Sequence, residues 1–425
     1  MRDSRFGRRR GAHFPALGFF VVRHGALIAV LGLVAIATGA FTSGCGSGNA
    51  TVTDTQVDHS PLLQFVGRPL ELDDPGCAAA ILIEPETNTV LYDKGIHEKR
   101  PPASIVKMMV EMVVMREVEA GRVALTDSVH TSAWASRIGG SQVYLAEGEV
   151  FALGDLMKAI AISSANDACV AVAEHVAGSV DGFVAMMNHE VQALNLQDTH
   201  YENVHGLDDD PSSVNYTTAY DISQLGRELL HHPEVLSWSS TPRALFRNGE
   251  FVLENTNKLL GKFPGLDGLK TGYTHNAGFC LCATAKRDDL RFLSVVMGCG
   301  TNRERFSTSQ EILGRAFGSY LRIPICSEND ELGKVPVAFG GADSVAVRAP
   351  RDLTLIVSRP DDRYLSTRLV ADPEITAPLA EGQVIGTLQV VQDERILAEI
   401  PVTAAEAVDG GGIATWIRRQ LKRHG

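Results

Sequence analysis

The sequence has little of the positive charge that a nucleic-acid-binding protein needs. It contains 39 lysine and arginine residues against 51 aspartate and glutamate residues, a formal net charge of −12 at pH 7. Phosphate backbones are bound by clustered basic side chains, so nucleic acid is excluded as the main partner. The basic residues are concentrated at the two ends of the chain, a pattern typical of ends that lie beside a membrane.

Patterns for metal and nucleotide binding are also missing. The sequence has 13 histidines, but no pair of them stands at metal-ligand spacing with an acidic partner. No glycine-rich phosphate loop is present. We therefore expect neither a metal nor an organic cofactor.

Cysteines are few, at seven in 425 residues. Apart from Cys45, they are Cys77, Cys169, Cys280, Cys282, Cys299 and Cys326. In an exported protein these six can form disulfides, although the pairing cannot be read from sequence. A metal site needs more ligands at close spacing. We therefore favour the interpretation that they are small buried side chains.

Residues 1–50 predict a targeting segment rather than part of the fold. Arginines precede an uncharged apolar stretch from Ala26 to Phe41, and small residues with Cys45 follow. This order is typical of an export signal. The segment is longer than a usual signal, so an uncleaved membrane anchor is an alternative. In a lipoprotein signal Cys45 would carry the lipid, but Thr42 stands where leucine is usual. We expect an exported protein in the periplasm or on the outer face of the cytoplasmic membrane.

Hydrophobic patterning predicts an α/β domain over residues 51–325, in which a mixed sheet is covered by helices. Residues 51–70 are polar and resemble a linker. The predicted strands are 78–83, 89–92, 278–285 and 290–297, and the predicted helices are 104–119, 153–162, 164–178 and 222–230.

The pattern of hydrophobic and turn residues changes in the last hundred residues. Short β-rich runs between turns predict a small all-β domain over residues 326–402. Residues 403–425 follow as a linker and a basic amphipathic helix, because Ile413, Trp416, Ile417 and Leu421 recur at helical spacing opposite basic residues. Such a helix suits an anionic membrane surface, and docking on the protein's own core is the alternative.

Three short motifs carry candidate chemistry. In Ser104-Ile105-Val106-Lys107 a hydroxyl and an amine share one helix face, and a lysine with a lowered pKa can activate a serine nucleophile. Ser164-Ala165-Asn166 stands between two predicted helices, where a hydroxyl can relay protons and an amide can hold a substrate carbonyl. Each motif alone is also typical of ordinary turns and caps.

The third motif is Lys270-Thr271-Gly272. On a strand, Lys270 and Gly272 point to the same side, and glycine leaves space for a substrate backbone to add along the strand edge. The lysine and threonine suit a substrate that carries a carboxylate. A charged turn is the alternative interpretation.

The three motifs in this order are the set of penicillin-binding proteins and class A β-lactamases. The surrounding residues, among them Asn203-Val204-His205-Gly206-Leu207 and Gly265-Leu266-Asp267-Gly268, resemble the low-molecular-mass D-alanyl-D-alanine carboxypeptidases of the S11 peptidase family. The resemblance spans roughly residues 75–320 by motif. It implies a β-lactamase/DD-peptidase-like fold, with the β domain and the amphipathic tail as accessories.

The resemblance also implies roles for individual residues. Ser104 would be the acylated nucleophile, Lys107 its general base and Ser164 a proton relay. The substrate-binding residues would be Asn166, Lys270, Thr271, Gly272, Tyr273 and Arg305. Among these, the backbone amides of Ser104 and Tyr273 would form the oxyanion hole, and Arg305 with Thr271 would hold the terminal carboxylate. A surface salt bridge is the alternative for Arg305.

Two residues depart from the family pattern. Ala165 replaces a common glycine, and Tyr273 follows the third motif where histidine is common. The alanine narrows the conformations that the turn can adopt. The tyrosine affects the rate and the pH dependence of the reaction, whereas the role of its backbone amide is unchanged.

The predicted reaction is removal of the terminal D-alanine from peptidoglycan stem pentapeptides, with β-lactam antibiotics as acylating inhibitors. Membrane contact would come from the C-terminal helix and from a lipid on Cys45. The same motifs fit a DD-endopeptidase or a β-lactamase, and a non-catalytic wall-binding protein is an alternative of another class. Sequence does not decide the peptidase preference, the deacylation rate, the disulfide pairing or the oligomeric state.

Overall fold

The structure, a computed structural model, describes residues 57–208, 213–359, 361–373 and 375–411. The predicted export segment with Cys45 and the predicted tail helix lie outside the described residues. The chain divides into two compact units. One contains residues 67–322 and 356–359 and is called here the catalytic unit. The other, the β unit, contains the described residues among 57–66, 323–355 and 360–411.

The catalytic unit is built around one antiparallel sheet. Its strands, in spatial order, are β3 (Thr89–Lys94), β2 (Ala79–Glu84), β10 (Leu290–Cys299), β9 (Gly278–Arg287) and β8 (Leu266–Thr274). Every pairing in this sheet is antiparallel. The sequence prediction of a mixed sheet is therefore wrong, because β8, β9 and β10 follow one another through short hairpin turns.

Helices cover both faces of this sheet. In the described part of the unit they are α1 (Lys107–Glu119), α2 (Leu153–Ser163), α3 (Asn166–Ala177), α4 (Val180–Ala193), α5 (Ala219–Leu229), α6 (Pro233–Ser239) and α7 (Asn302–Ser319). On β10, Phe292 packs on Phe317 of α7, whereas the next residue, Leu293, lies against Gly226 of α5. Successive strand residues face opposite sides, so α5 and α7 flank the sheet. The predicted helix-covered α/β body is confirmed.

Helix α1 runs through the middle of the core. Ten of its residues are buried, including Met108, Val110 and Val114 at 0 % exposure. A helix that is apolar on nearly all sides is expected inside a domain. The sequence prediction started this helix at Ser104, but residues 103–106 form a tighter 3₁₀ turn and α1 begins at Lys107. Helices α4, α6 and α7 were not predicted.

Two small antiparallel sheets of two strands each complete the catalytic unit, β4 (Ser128–His130) with β5 (Val150–Ala152) and β6 (Arg243–Phe246) with β7 (Phe251–Glu254). No single helix in the described residues is long and apolar enough to cross a membrane. Helices α3 and α4 together pass such a test of length and composition, but they are bent by 84°. The six cysteines other than Cys45 are buried free thiols, as favoured from the sequence.

The β unit contains a five-stranded antiparallel sheet in the order β12 (Glu331–Pro336), β13 (Ser344–Arg348), β17 (Arg395–Ala404), β16 (Val384–Gln392) and β15 (Leu365–Ala371). The remaining strands, β1 (Leu62–Phe65), β14 (Leu353–Ser358) and β11 (Tyr320–Cys326), form a three-stranded sheet in that order. The predicted all-β domain is confirmed. Residues 62–65 form a strand, although the sequence suggested a linker there.

Candidate active site

Ser104 lies in the 3₁₀ turn Ala103–Val106, which leads directly into α1. The preceding residue, Ala103, has a φ of +48°, in the left-handed region that costs a non-glycine residue roughly 1–2 kcal/mol. Ala103 is 1 % exposed, so packing holds this conformation. In a 3₁₀ turn residues three apart are eclipsed. Ser104 Oγ and Lys107 Nζ accordingly lie 3.1 Å apart, and the two side chains meet as the sequence predicts.

The surroundings of Lys107 fix the orientation of its amine. Nζ lies 2.8 Å from Asn166 Oδ1 and 2.6 Å from the carbonyl oxygen of His205. Both oxygens only accept hydrogen bonds. The Asn166 amide is oriented by its Nδ2, which donates to the carbonyl of Gly139 at 2.7 Å. The amine donates to Ser104 Oγ when it is charged; a neutral lysine has two N–H groups, and if these acceptors take both, its lone pair is left to face Ser104 Oγ.

Burial favours this neutral form. Lys107 is 0 % exposed, and removal from water lowers the pKa of its amine, whereas the nearby acidic groups of Cys169, Asp167 and Glu111 oppose the shift. A lone pair aimed at a serine hydroxyl is what a general base requires. The first motif thus places the hydroxyl of Ser104 in contact with a buried amine whose pKa is lowered.

The second motif lies at the junction of α2 and α3. Ser164 ends α2 in the left-handed region, with a φ of 60°, and Asn166 begins α3. Asp167 anchors this junction, because its carboxylate accepts from the backbone N–H groups of Val143 and Leu145. Ser164 Oγ is buried and has no hydrogen-bond partner among the described residues. A buried hydroxyl without a partner is costly.

The third motif lies on β8, beside the Ser104 turn. A Cβ on Gly272 would stand 2.7 Å from the carbonyl oxygen of Pro102 and 3.2 Å from Cβ of Ala103. Only glycine allows strand and turn to approach this closely. The sequence interpretation assigned that space to a substrate backbone, but the structure fills it with the turn that carries the nucleophile.

Lys270 and Thr271 are both buried. Lys270 Nζ donates to the carbonyl oxygen of Thr271 at 3.2 Å, and Thr271 Oγ1 donates to Thr256 Oγ1 at 2.7 Å. Burial, together with the positive charge that Lys107 carries when it is protonated, lowers the pKa of Lys270 to about 7. The strand therefore brings a second amine with an unusually low pKa to the same site.

Tyr273 lies at the end of β8, and Arg305 contacts that end of the strand. Tyr273 is 54 % exposed and stacks on Phe279, with ring centroids 4.1 Å apart. Arg305 of α7 is 8 % exposed, and its Nη1 donates to the carbonyl of Gly272 at 2.9 Å. Its guanidinium also lies 5.3 Å from the Phe279 ring. Arg305 thus supports the strand end from beneath and is not the surface ion pair that the sequence left as an alternative.

Sequence reasoning assigned no role to the loop around His205, which supplies a backbone acceptor to Lys107. Asn203 shapes this loop, since its Oδ1 accepts from the N–H of Gly206 at 2.7 Å. Gly206 has a φ of +82°, and a Cβ there would lie 2.1 Å from the carbonyl oxygen of Ala103. The glycine in the quoted stretch 203–207 was the available signal. Burial and the Lys107 charge lower the pKa of His205 to about 4, so its ring is neutral.

The arrangement suits acyl transfer through a serine, because the Ser104 turn and β8 bring together a hydroxyl and two buried amines of lowered pKa. In the described residues no cluster of three or more histidine, cysteine or acidic side chains is placed to hold a metal ion.

Comparison with known proteins agrees with this chemistry. The D-alanyl-D-alanine carboxypeptidase family profile matches residues 71–301, and that of the penicillin-binding protein 5 C-terminal domain matches residues 320–410. The D-alanyl-D-alanine carboxypeptidase DacF of Bacillus subtilis is 35 % identical over 81 % of this chain and 88 % of its own length. DacA of Escherichia coli is 32 % identical over 78 % of this chain and 83 % of its own.

Solved structures show the same architecture. Penicillin-binding protein 5 from Haemophilus influenzae superposes with a TM-score of 0.65 at 29 % identity, over 80 % of this chain and 99 % of that one. Penicillin-binding protein D2 from Listeria monocytogenes, in its ampicillin-bound form, gives a TM-score of 0.54 at 29 % identity, over 58 % of this chain and 100 % of that one.

Proposed function

The chain belongs to the D-alanyl-D-alanine carboxypeptidase family of serine peptidases, and on that premise we propose that Ser104 is its acylated nucleophile. The observation that carries this proposal is the contact between Ser104 Oγ and Lys107 Nζ, at 3.1 Å. The two acceptor oxygens on Lys107 leave its lone pair facing the serine. Ser104 then attacks the carbonyl between the two terminal D-alanines while its proton passes to Lys107.

The remaining steps use the other motif residues. Ser164 relays the proton from Lys107 to the departing D-alanine amine, and its unpartnered hydroxyl is suited to that task. The backbone amides of Ser104 and Tyr273 stabilise the oxyanion. Asn166 holds Lys107, and one of its two amide hydrogens is available to a substrate carbonyl. Water then hydrolyses the acyl-enzyme and frees Ser104.

The substrate carboxylate would be held at the end of β8 by Lys270, Thr271 and Arg305. Arg305 Nη1 is occupied by the Gly272 carbonyl, which leaves Nη2 for the carboxylate. β-Lactams carry a carboxylate beside an activated amide, as the D-alanyl-D-alanine end does. We infer that they acylate Ser104 by the same route and stall there.

The two chain ends support a separate proposal about location. Residues 1–50 have the order of an export signal or anchor, and residues 413–425 form a basic amphipathic pattern. We propose an exported, membrane-associated enzyme that acts on peptidoglycan from outside the cytoplasmic membrane. Fractionation of cells that express the full chain, a Cys45→Ala variant and a chain ending at residue 411 tests this. Recovery of the full chain in the cytosol contradicts it.

The function is tested by release of D-alanine from a pentapeptide that ends in D-Ala-D-Ala. The protein used is the full chain in detergent, beside Ser104→Ala. We expect release by the native enzyme and none by the variant. If neither releases D-alanine but penicillin still labels Ser104, the enzyme is an endopeptidase for cross-linked substrate. If both release and labelling fail, the chain is the non-catalytic wall-binding protein.

A further inference from the structure

Two buried cysteines meet at one end of the central sheet of the catalytic unit. Cys77 lies just before β2 and is 5 % exposed, and Cys299 ends β10 and is 1 % exposed. The two thiols are hydrogen-bonded to each other. The reaction described above uses neither residue, so catalysis does not account for the contact.

The strand register brings these two side chains together. Strands β2 and β10 are antiparallel neighbours. Where their paired region ends, the N–H of Ala78 donates to the Met297 carbonyl at 3.0 Å, and a Cβ on Gly298 would stand 2.8 Å from Cβ of Ala78. Only glycine allows the strands to lie this close. The next residues along the two strands are Cys77 and Cys299, which therefore face each other.

This placement suits a covalent link. Residues opposite each other on antiparallel strands have Cα atoms about 4.5–5.5 Å apart, and a disulfide spans Cα separations of about 4.4–6.8 Å. Other thiols have different neighbours. Cys280 donates to the Ala277 carbonyl at 3.6 Å, and Cys326 donates to the Arg351 carbonyl of the β unit at 3.9 Å.

We propose that Cys77 and Cys299 are oxidised to a disulfide by thiol–disulfide exchange, with an external disulfide compound as the oxidant. The sequence left the pairing of the cysteines open, and the register of β2 with β10 selects these two. Cys77 follows the exposed Gly76, so local opening of this strand end admits a small disulfide. The inference stands apart from the catalytic function, and the proposed export of the chain would supply oxidising surroundings.

The hydrogen bond between the thiols sets the order of the exchange. Cys299 donates to Cys77 and lowers the pKa of Cys77, whereas the same bond and burial raise the pKa of Cys299. The Cys77 thiolate attacks the disulfide of the oxidant, forms a mixed disulfide and releases one half of the oxidant as a thiol. Cys299 then loses its proton and attacks Sγ of Cys77, which releases the second half. Two protons and two electrons leave the cysteines, and the oxidant is reduced to two thiols.

The link would stabilise the catalytic unit. It closes a loop of roughly 220 residues, and the constraint that a disulfide places on the unfolded chain grows with loop length. It also ties β2 to the end of β10, shortly before α7 begins at Asn302. We therefore expect the oxidised unit to unfold at a higher temperature than the reduced one.

The first test is a peptide map of the full-length enzyme after incubation with oxidised glutathione. Free thiols are blocked with iodoacetamide during denaturation, and the protein is digested with trypsin and a glutamate-specific protease. Cys77 then lies on peptide 72–84, Cys299 on peptide 292–303, and Cys280 and Cys282 on peptide 271–286. We expect peptides 72–84 and 292–303 joined, two hydrogen atoms lighter than their sum, and separated by reductant. The map does not depend on activity, so failure of the proposed function leaves it intact.

Variants separate a disulfide from ordinary packing of thiols. In the native enzyme we expect oxidation to raise the unfolding temperature of the catalytic unit by at least about 5 °C. Cys77→Ser and Cys299→Ser should each lose this difference between the oxidised and reduced forms, and the double variant should lose no more. Cys326→Ser, which replaces a buried thiol of the β unit, is the matched control and should keep the full difference.

Three results overturn the inference. One is alkylation of both Cys77 and Cys299 in the enzyme that has been treated with the oxidant. The second is a link from either residue to peptide 271–286, or a glutathione adduct that persists on Cys77. The third is a difference in unfolding temperature between the oxidised and reduced forms that survives in Cys77→Ser. If the serine variants do not fold, the peptide map of the native enzyme decides, because it requires no variant.

Discussion

The two units of the molecule treat buried charge in opposite ways. The catalytic unit buries Lys107, Glu111, Asp167, Lys270 and Arg305, each at 8 % exposure or less. In the described part of the β unit the buried side chains are apolar, apart from Thr403. Burying an ionisable group is costly, and apolar residues of similar size pack at least as well. The catalytic unit therefore accommodates buried charges both at the site and elsewhere, as at Glu84 and Asp221, whereas no charged side chain is buried in the described part of the β unit.

The largest expected effect comes from removing the base in the catalytic unit. For Lys107→Ala we expect kcat/KM for D-alanine release to fall at least about a thousandfold, since the serine loses its proton acceptor. Lys107→Arg keeps a positive charge but cannot accept a proton at neutral pH, so it should be equally inactive. The measurement is D-alanine release under pseudo-first-order conditions. Substantial activity in Lys107→Arg would show that the lysine acts only as a cation.

A smaller loss is expected where β8 meets the Ser104 turn. The Cβ in Gly272→Ala would stand 2.7 Å from the Pro102 carbonyl oxygen, so strand and turn must separate. We expect acylation by penicillin to slow by about 10²-fold, because misplacement of a catalytic group by about 1 Å has that effect. Gly76→Ala, at a loop position with nothing within 4 Å and no positive φ, is the control for a glycine substitution. Equal acylation rates in the two variants would contradict this account.

The smallest effect on activity is expected in the β unit. Ile400 is 0 % exposed, and Ile400→Ala should destabilise its sheet by about 2–5 kcal/mol through the lost contacts and the cavity. The acylation rate at 25 °C should not change, since no buried charge is disturbed. Thermal unfolding and the acylation rate, measured on the same variant, check the two expectations. A loss of acylation comparable to that of Gly272→Ala would break the contrast between the units.

Much of the fold and of the candidate site could be predicted from the sequence, because these features depend on local residue patterns. The spacing of Ser104 and Lys107 predicted their contact, and the apolar run after Lys107 predicted a core helix. The strands β9 and β10 follow from apolar stretches bounded by turns. These features depend on neighbours in the chain, where periodicity and spacing are informative.

The rest depends on contacts that leave no local signature. Lys107 donates to the backbone carbonyl of His205, which is 98 residues away in the sequence. Any residue type supplies a backbone carbonyl, so the sequence does not mark this acceptor. Gly272 was recognised as important for the wrong reason, since its partner is Pro102 and not a substrate.

The most direct test of the central claim is to identify the residue that penicillin acylates. The full-length enzyme is labelled at neutral pH, digested and analysed by mass spectrometry, with Ser104→Ala treated in parallel. The account predicts one adduct, on the peptide that contains Ser104, and none in the variant. An adduct on Ser164 or elsewhere, or an adduct that persists in Ser104→Ala, would contradict it.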